Sequence, residues 1–108
     1  MADNYLMLAQ GQLPTSVGSI YANSSGSSVI IRKISLSNTS GSDATAKLHY
    51  VQSAGSPSNS NVILPTRTLS SGDNTEGGAI VVEDGESIHG VSGTASAISY
   101  TIWGLQIV

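Results

Sequence analysis

Apolar residues in this chain come in short runs at alternate positions, and each run is soon closed by Gly, Ser, Asn or Asp. That feature removes most of fold space. No stretch keeps a 3.6-residue period for the length a helix needs, so the chain must bury its apolar side chains by pairing strands. Val17–Tyr21, Val29–Asn38, Ala44–Val51, Val62–Leu69 and Ala97–Val108 read as strands, with Pro65 marking the fourth as an edge or a bend. Ala79–Glu83 and Glu86–Val91 flank Asp84-Gly85, the preferred pair of a type I′ turn, which predicts a tight hairpin. Ser53–Asn61 and Ser70–Gly78 read as polar loops, and Gly90, Gly93 and Thr94 as a further turn. Met1–Leu13 carries Tyr5, Leu6, Met7, Leu8 and Leu13 ahead of Pro14 and is too short and uncapped for a free helix. It predicts an extended arm or a first edge strand.

The expectation is an all-β chain: a single β-sandwich of about seven or eight antiparallel strands, jelly-roll-like or immunoglobulin-like. Residues 1–13 form the N-terminal arm and residues 14–108 the sandwich. Two strands break the two-residue period. In Val29–Asn38, Ile30, Ile34 and Leu36 share a face, but so does Arg32, which calls for a bulge or a half-buried face. In the last strand the apolar set passes from Ile98, Tyr100 and Ile102 to Trp103, Leu105 and Ile107. A one-residue slip turns every side chain over. Either a bulge at Trp103-Gly104 re-aims the strand, or both its faces are covered, one of them by another chain.

Composition excludes several kinds of chemistry. With no cysteine there is no disulfide framework, thiolate nucleophile or thiolate zinc site. Four cations against seven acids leave no surface that could neutralise nucleic-acid phosphates. No apolar run is long enough for a membrane span, and Met1-Ala2-Asp3-Asn4 lacks the order of a signal peptide. The chain is rich in Ser, Thr and Gly, but 39% of it is hydrophobic and its net charge is only -3, which is not the composition of a disordered segment. A polar, uncharged coat desolvates readily and suits broad contact with another protein.

No constellation of catalytic residues appears, so no enzymatic activity, cofactor or metal is expected. His49 and His89 lie far apart along the chain and outside any cluster, and there is no nucleophile elbow, phosphate loop or metalloprotease helix. Asp73, Glu76, Glu83, Asp84 and Glu86 concentrate five acids in a short segment; calcium is conceivable there, but a solvated acidic end of the sandwich explains them more simply. Asn23-Ser24-Ser25 and Asn38-Thr39-Ser40 match the glycosylation pattern and read as turns. Trp103, Tyr5, Tyr21, Tyr50 and Tyr100 could stack on sugars, although a core this poor in aromatics claims most of them.

Three segments carry a likeness: SLSNTSGSDATAKLHYV (Ser35–Val51), VVEDGESI (Val81–Ile88) and ASAISYTIWGLQIV (Ala95–Val108). Together they resemble small β-sandwich virion proteins of tailed bacteriophages, of the capsid cement or decoration type. The resemblance covers most of the chain after residue 17 and rests on turns and strands, with no catalytic signature. It implies a structural role in the virion without fixing head or tail; taken together with the surplus apolar residues at both ends, the expectation is a cement on the outer surface of the capsid. There the protein would bind across junctions of the major capsid protein and stabilise the expanded head, as a homo-oligomer and, at a three-fold site, a trimer. Tyr5, Leu6, Met7, Leu8, Leu13, Trp103, Leu105 and Ile107 are the expected protein-interface residues. The other expectation is a tail- or fibre-associated module that binds a host surface glycan.

Overall fold

The computed structural model describes residues 3–77 and 80–107, and of residues 3–6 the backbone alone. The strands are β1 (Asp3–Gln12), β2 (Gly18–Ala22), β3 (Val29–Asn38), β4 (Ala44–Val51), β5 (Val62–Leu69), β6 (Asn74–Gly77), β7 (Ile80–Val82), β8 (Ser87–Val91) and β9 (Ile98–Ile107). They form two antiparallel sheets. The front sheet runs β1-β9-β3-β6, with β7 also on β3, and the back sheet runs β2-β8-β4-β5.

Counting β6 and β7 as one interrupted strand, the chain pairs first with last, second with second-last, third with third-last, and the middle two with each other. A long hairpin rolled up in this way, with β9 and β8 then meeting β3 and β4, is a jelly roll. The strand order thus selects one of the two sandwich types expected. Ile31, Ile34, Leu36, Leu48, Ile88, Ile98 and Ile102 fill the core between the sheets.

The bulge expected near Arg32 is present: the β3–β9 register shifts between Ile31 and Lys33. It sends Ile31 inward with Ile34 and Leu36 and turns Ile30 outward, the reverse of a simple two-residue reading for those two isoleucines. Other expectations are corrected. The polar loop after Ser70 contains β6, four residues with no alternating apolar pattern, held by β3. The Asp84-Gly85 turn does not close a hairpin, because β7 lies in the front sheet and β8 in the back. Gly85 alone in that turn has positive φ (89°), whereas type I′ needs two such residues. Gly90 lies inside β8.

The N-terminal segment is the first edge strand of the sandwich, so residue 13 marks no structural boundary. Its leucines explain why it stays. Leu13 is buried, and a Cβ on Gly90 would sit 2.7 Å from its Cδ2. Leu8 packs against the core, and a Cβ on Gly104 would sit 2.8 Å from its Cδ1 and collide with the Ile30 carbonyl. Two strand glycines therefore make the hollows that seat two leucines of the first segment, each burial worth roughly 2 kcal/mol.

Two corners built alike join the sheets. Asn23 and Asn38, each 2% exposed, begin the turns Asn23-Ser24-Ser25-Gly26-Ser27 and Asn38-Thr39-Ser40-Gly41-Ser42. The Asn23 amide donates to the Ser27 and Val82 carbonyls (both 2.8 Å), and its oxygen accepts from Ser25 N (3.0 Å) and Ser25 Oγ (2.7 Å). The Asn38 amide donates to Ser42 O (2.9 Å) and Leu69 O (2.8 Å), and its oxygen accepts from Ser40 N (2.9 Å) and Ser40 Oγ (2.7 Å). Each asparagine backbone also brackets a second sheet-crossing turn, Asn23 at Gly85 and Glu86 and Asn38 at Gly72 and Asp73. Both amides are fully engaged, so neither is open to glycosylation in the folded protein.

Candidate functional site

The described residues hold no group of three or more His, Cys, Asp or Glu placed to bind a metal ion. The five acids divide between the corners. Near the first, Glu83 accepts from Ser28 Oγ (2.8 Å), Asp84 accepts from Gly26 N (2.9 Å), and Glu86 accepts from Glu83 N (2.9 Å). Asp73 belongs to the second corner, and Glu76 on β6 pairs with Lys33 at 2.8 Å. The Tyr50 hydroxyl donates to the Glu86 carboxylate and lies 2.6 Å from the Val81 carbonyl of the opposite sheet. Burial first, then the carboxylates of Glu86 and Glu83, push its pKa up to about 12.

The histidines, remote in sequence, are cross-strand partners on β4 and β8. His49 is 3% exposed because the β4–β5 loop folds over the outer side of the back sheet; its Nδ1 lies 2.8 Å from Asn61 Oδ1 and 3.1 Å from Ser58 O. Both partners are acceptors, so Nδ1 carries the proton. Burial and then the neighbouring His49 lower the pKa of His89. Ser87 Oγ lies 3.3 Å from His89 Nδ1, both side chains being partly buried on the back sheet.

The front sheet presents a different surface. β9 keeps one alternation throughout: Ile98, Ile102 and Gly104 are buried, while Trp103, Leu105 and Ile107 are half-exposed. The apparent change of phase is therefore not a bulge at Trp103-Gly104. The inward position is a glycine roofed by Leu8, and the apolar residues on either side of it face outward. The register shifts lie in the flanking strands, at Leu8 and Arg32.

Outward positions line up across strands. Met7, Trp103 and Lys33 are in register, with the Lys33 ammonium 5.5 Å from the Trp103 ring centroid. Leu105, Ile30 and Val81 form the next row. Met7 is 51% and Val81 49% exposed. Single exposed apolar residues need no explanation, but a contiguous set across four strands is a candidate contact surface.

Of the expected interface residues, Met7, Trp103, Leu105 and Ile107 meet on this face. Leu8 and Leu13 do not: both serve the core, for the packing reasons given above. The side chains of Tyr5 and Leu6 lie outside the described residues. Ile30 and Val81 complete the face and were not expected from the sequence. The Arg32 irregularity was the available signal for Ile30, since a bulge there reverses the facing of everything before it. Tyr21, Tyr50 and Tyr100 pack against the core, which leaves Trp103 as the outward aromatic among the described side chains.

No protein-family model matches the sequence, and no curated protein matches it. Among solved structures, the chain is similar to a protein of Bacillus endospore appendages, described as a novel family of disulfide-linked pili. The TM-score is 0.60 at 13% identity, over 99% of this chain and 87% of that one. At that identity the likeness establishes the fold alone.

Proposed function

We propose that this protein is a structural subunit that acts by packing its apolar front face against other proteins, as a cement on the outer surface of a tailed-phage capsid. The observation that carries the reading is the two-row stripe of Met7, Trp103, Ile30, Leu105 and Val81 on a sheet whose other face already closes the core. The resemblance of its turns and closing strand to phage cement proteins supplies the particle. Cover over the stripe would contribute roughly 25 cal/mol per Å² of apolar surface, repeated at every junction of the major capsid protein. Cement at a three-fold junction is a trimer and at a two-fold junction a pair.

Truncating residues 1–13 would remove a strand of the sheet, so point changes make the better test. Val81→Lys and Leu105→Lys should leave the fold intact and abolish retention on purified expanded capsids. Full retention of both variants would reject this reading.

The appendage neighbour favours a second reading, a subunit of a filament. This chain has no cysteine in its 108 residues, so disulfide linkage of the kind named for that neighbour is closed to it and packing would have to hold such a filament together. Electron microscopy of the concentrated protein alone discriminates: filaments support the second reading, and assembly only on capsids supports the first. The glycan-binding alternative predicts signal on a glycan array that is lost with Trp103→Ala.

A further inference from the structure

The four sheet edges are not alike. β2 has five residues, with a register break between Ser19 and Tyr21. β5 carries Pro65 and Arg67 and breaks register twice against β4. The edge opposite β1 in the front sheet is split into β6 and β7, of four and three residues. Short strands, prolines, cations and bulges are the devices by which natural sheets refuse a further strand.

β1 has ten residues and contains no Pro, Lys or Arg. Its one register break, at Leu8, leaves Asp3–Met7 as five consecutive in-register pairs with β9. Among the described residues, no hydrogen bond reaches the side of β1 away from β9. The half-exposed Met7 stands on this strand, and the apolar stripe runs out to it.

We infer that β1 is a pairing edge for a second copy of this chain, the two β1 strands running antiparallel across a two-fold axis. Such pairing is isologous and closes at two. Its main-chain hydrogen bonds would join both front sheets into one, placing two apolar stripes side by side on a single surface. The only charged residue of β1 is Asp3, at one end. Antiparallel self-pairing centred within Asp3–Met7 sets it against the far end of the partner's segment, so like charges do not meet. This inference rests on the edge and not on what the front face binds.

The test uses the full chain. Alternate residues of an antiparallel strand direct their N–H to opposite sides, so one of Asn4→Pro and Tyr5→Pro removes a bond to β9 and the other a bond to the partner. By analytical ultracentrifugation the wild-type chain should form a dimer, and whichever variant keeps the wild-type circular dichroism and a cooperative thermal transition should be a monomer. In the wild-type chain, amide exchange at alternate β1 positions should slow as protein concentration rises. A monomer at every concentration, a trimer, concentration-independent exchange, or a folded proline variant that still pairs would each overturn the inference. Val81→Lys, away from the edge, should leave the dimer intact while abolishing capsid retention, which separates failure of the edge from failure of the cement reading.

Discussion

The outer sides of the two sheets are handled in opposite ways. On the back sheet, His49 and Val51 point away from the core, and the chain buries them itself by folding the β4–β5 loop over them. On the front sheet, the row of Leu105, Ile30 and Val81 and the half-exposed Met7 beside Trp103 receive no such cover from the described residues. Under the proposed function, the bare row is where another molecule supplies the roof that the loop supplies on the back sheet. The difference separates outward residues that the chain itself buries from outward residues that it leaves open to solvent.

The largest effect should come from breaking what both faces share. Asn38→Asp turns an amide donor into a carboxylate aimed at the Ser42 and Leu69 carbonyls. It should cost about 3 kcal/mol or more, and in thermal denaturation lower the midpoint by on the order of 10–20 °C. Asn23→Asp should do the same, since its bonds match one for one. A mild effect at either site would show that the corners are not equivalent.

His49→Ala tests the back face alone. It strips the loop of two hydrogen bonds and should cost about 2 kcal/mol, with faster proteolysis confined to residues 52–61. The pH dependence is smaller. The folded-state pKa of His89 is depressed below 6.5, so the unfolded chain takes the proton more readily. Its contribution to stability is therefore intact above 6.5 and is lost as pH falls through that value toward the folded pKa. Melting midpoints should decline over that interval, and His89→Gln should flatten the decline. Smallest of all, Val81→Lys on the front face should change stability by less than about 0.5 kcal/mol. A large loss there would mean the face is already covered within the chain.

Strand positions were legible because a two-residue period punctuated by turn residues is a local property. β3, β4 and β5 fall where the alternation puts them, and the Arg32 bulge announced itself as a polar side chain in an apolar row. β6 was hidden because Asn74–Gly77 has no apolar alternation of its own and is a strand only by pairing with β3. The Asp84-Gly85 turn misled because its preferred local form closes a hairpin, whereas β8 is drawn into the back sheet by β2 and β4. Of the outward apolar stripe, Trp103, Leu105, Ile107 and Met7 could be found in the sequence as surplus apolar residues. Ile30 and Val81 could not, since their facing depends on register with β9.

The sequence alone determined that this chain builds strands, that glycine and asparagine turns divide them, and that cysteine chemistry is closed to it, for these are properties of neighbouring residues and of residue type. Only the tertiary structure decided which strands are neighbours, which apolar residues are left outside, that distant histidines meet, and that Leu8 and Leu13 belong to the core. Those outcomes depend on long-range pairing and on the hollows that Gly90 and Gly104 leave for leucines far away in the chain. No local pattern carries that information, because packing is decided between surfaces that the backbone first has to bring together.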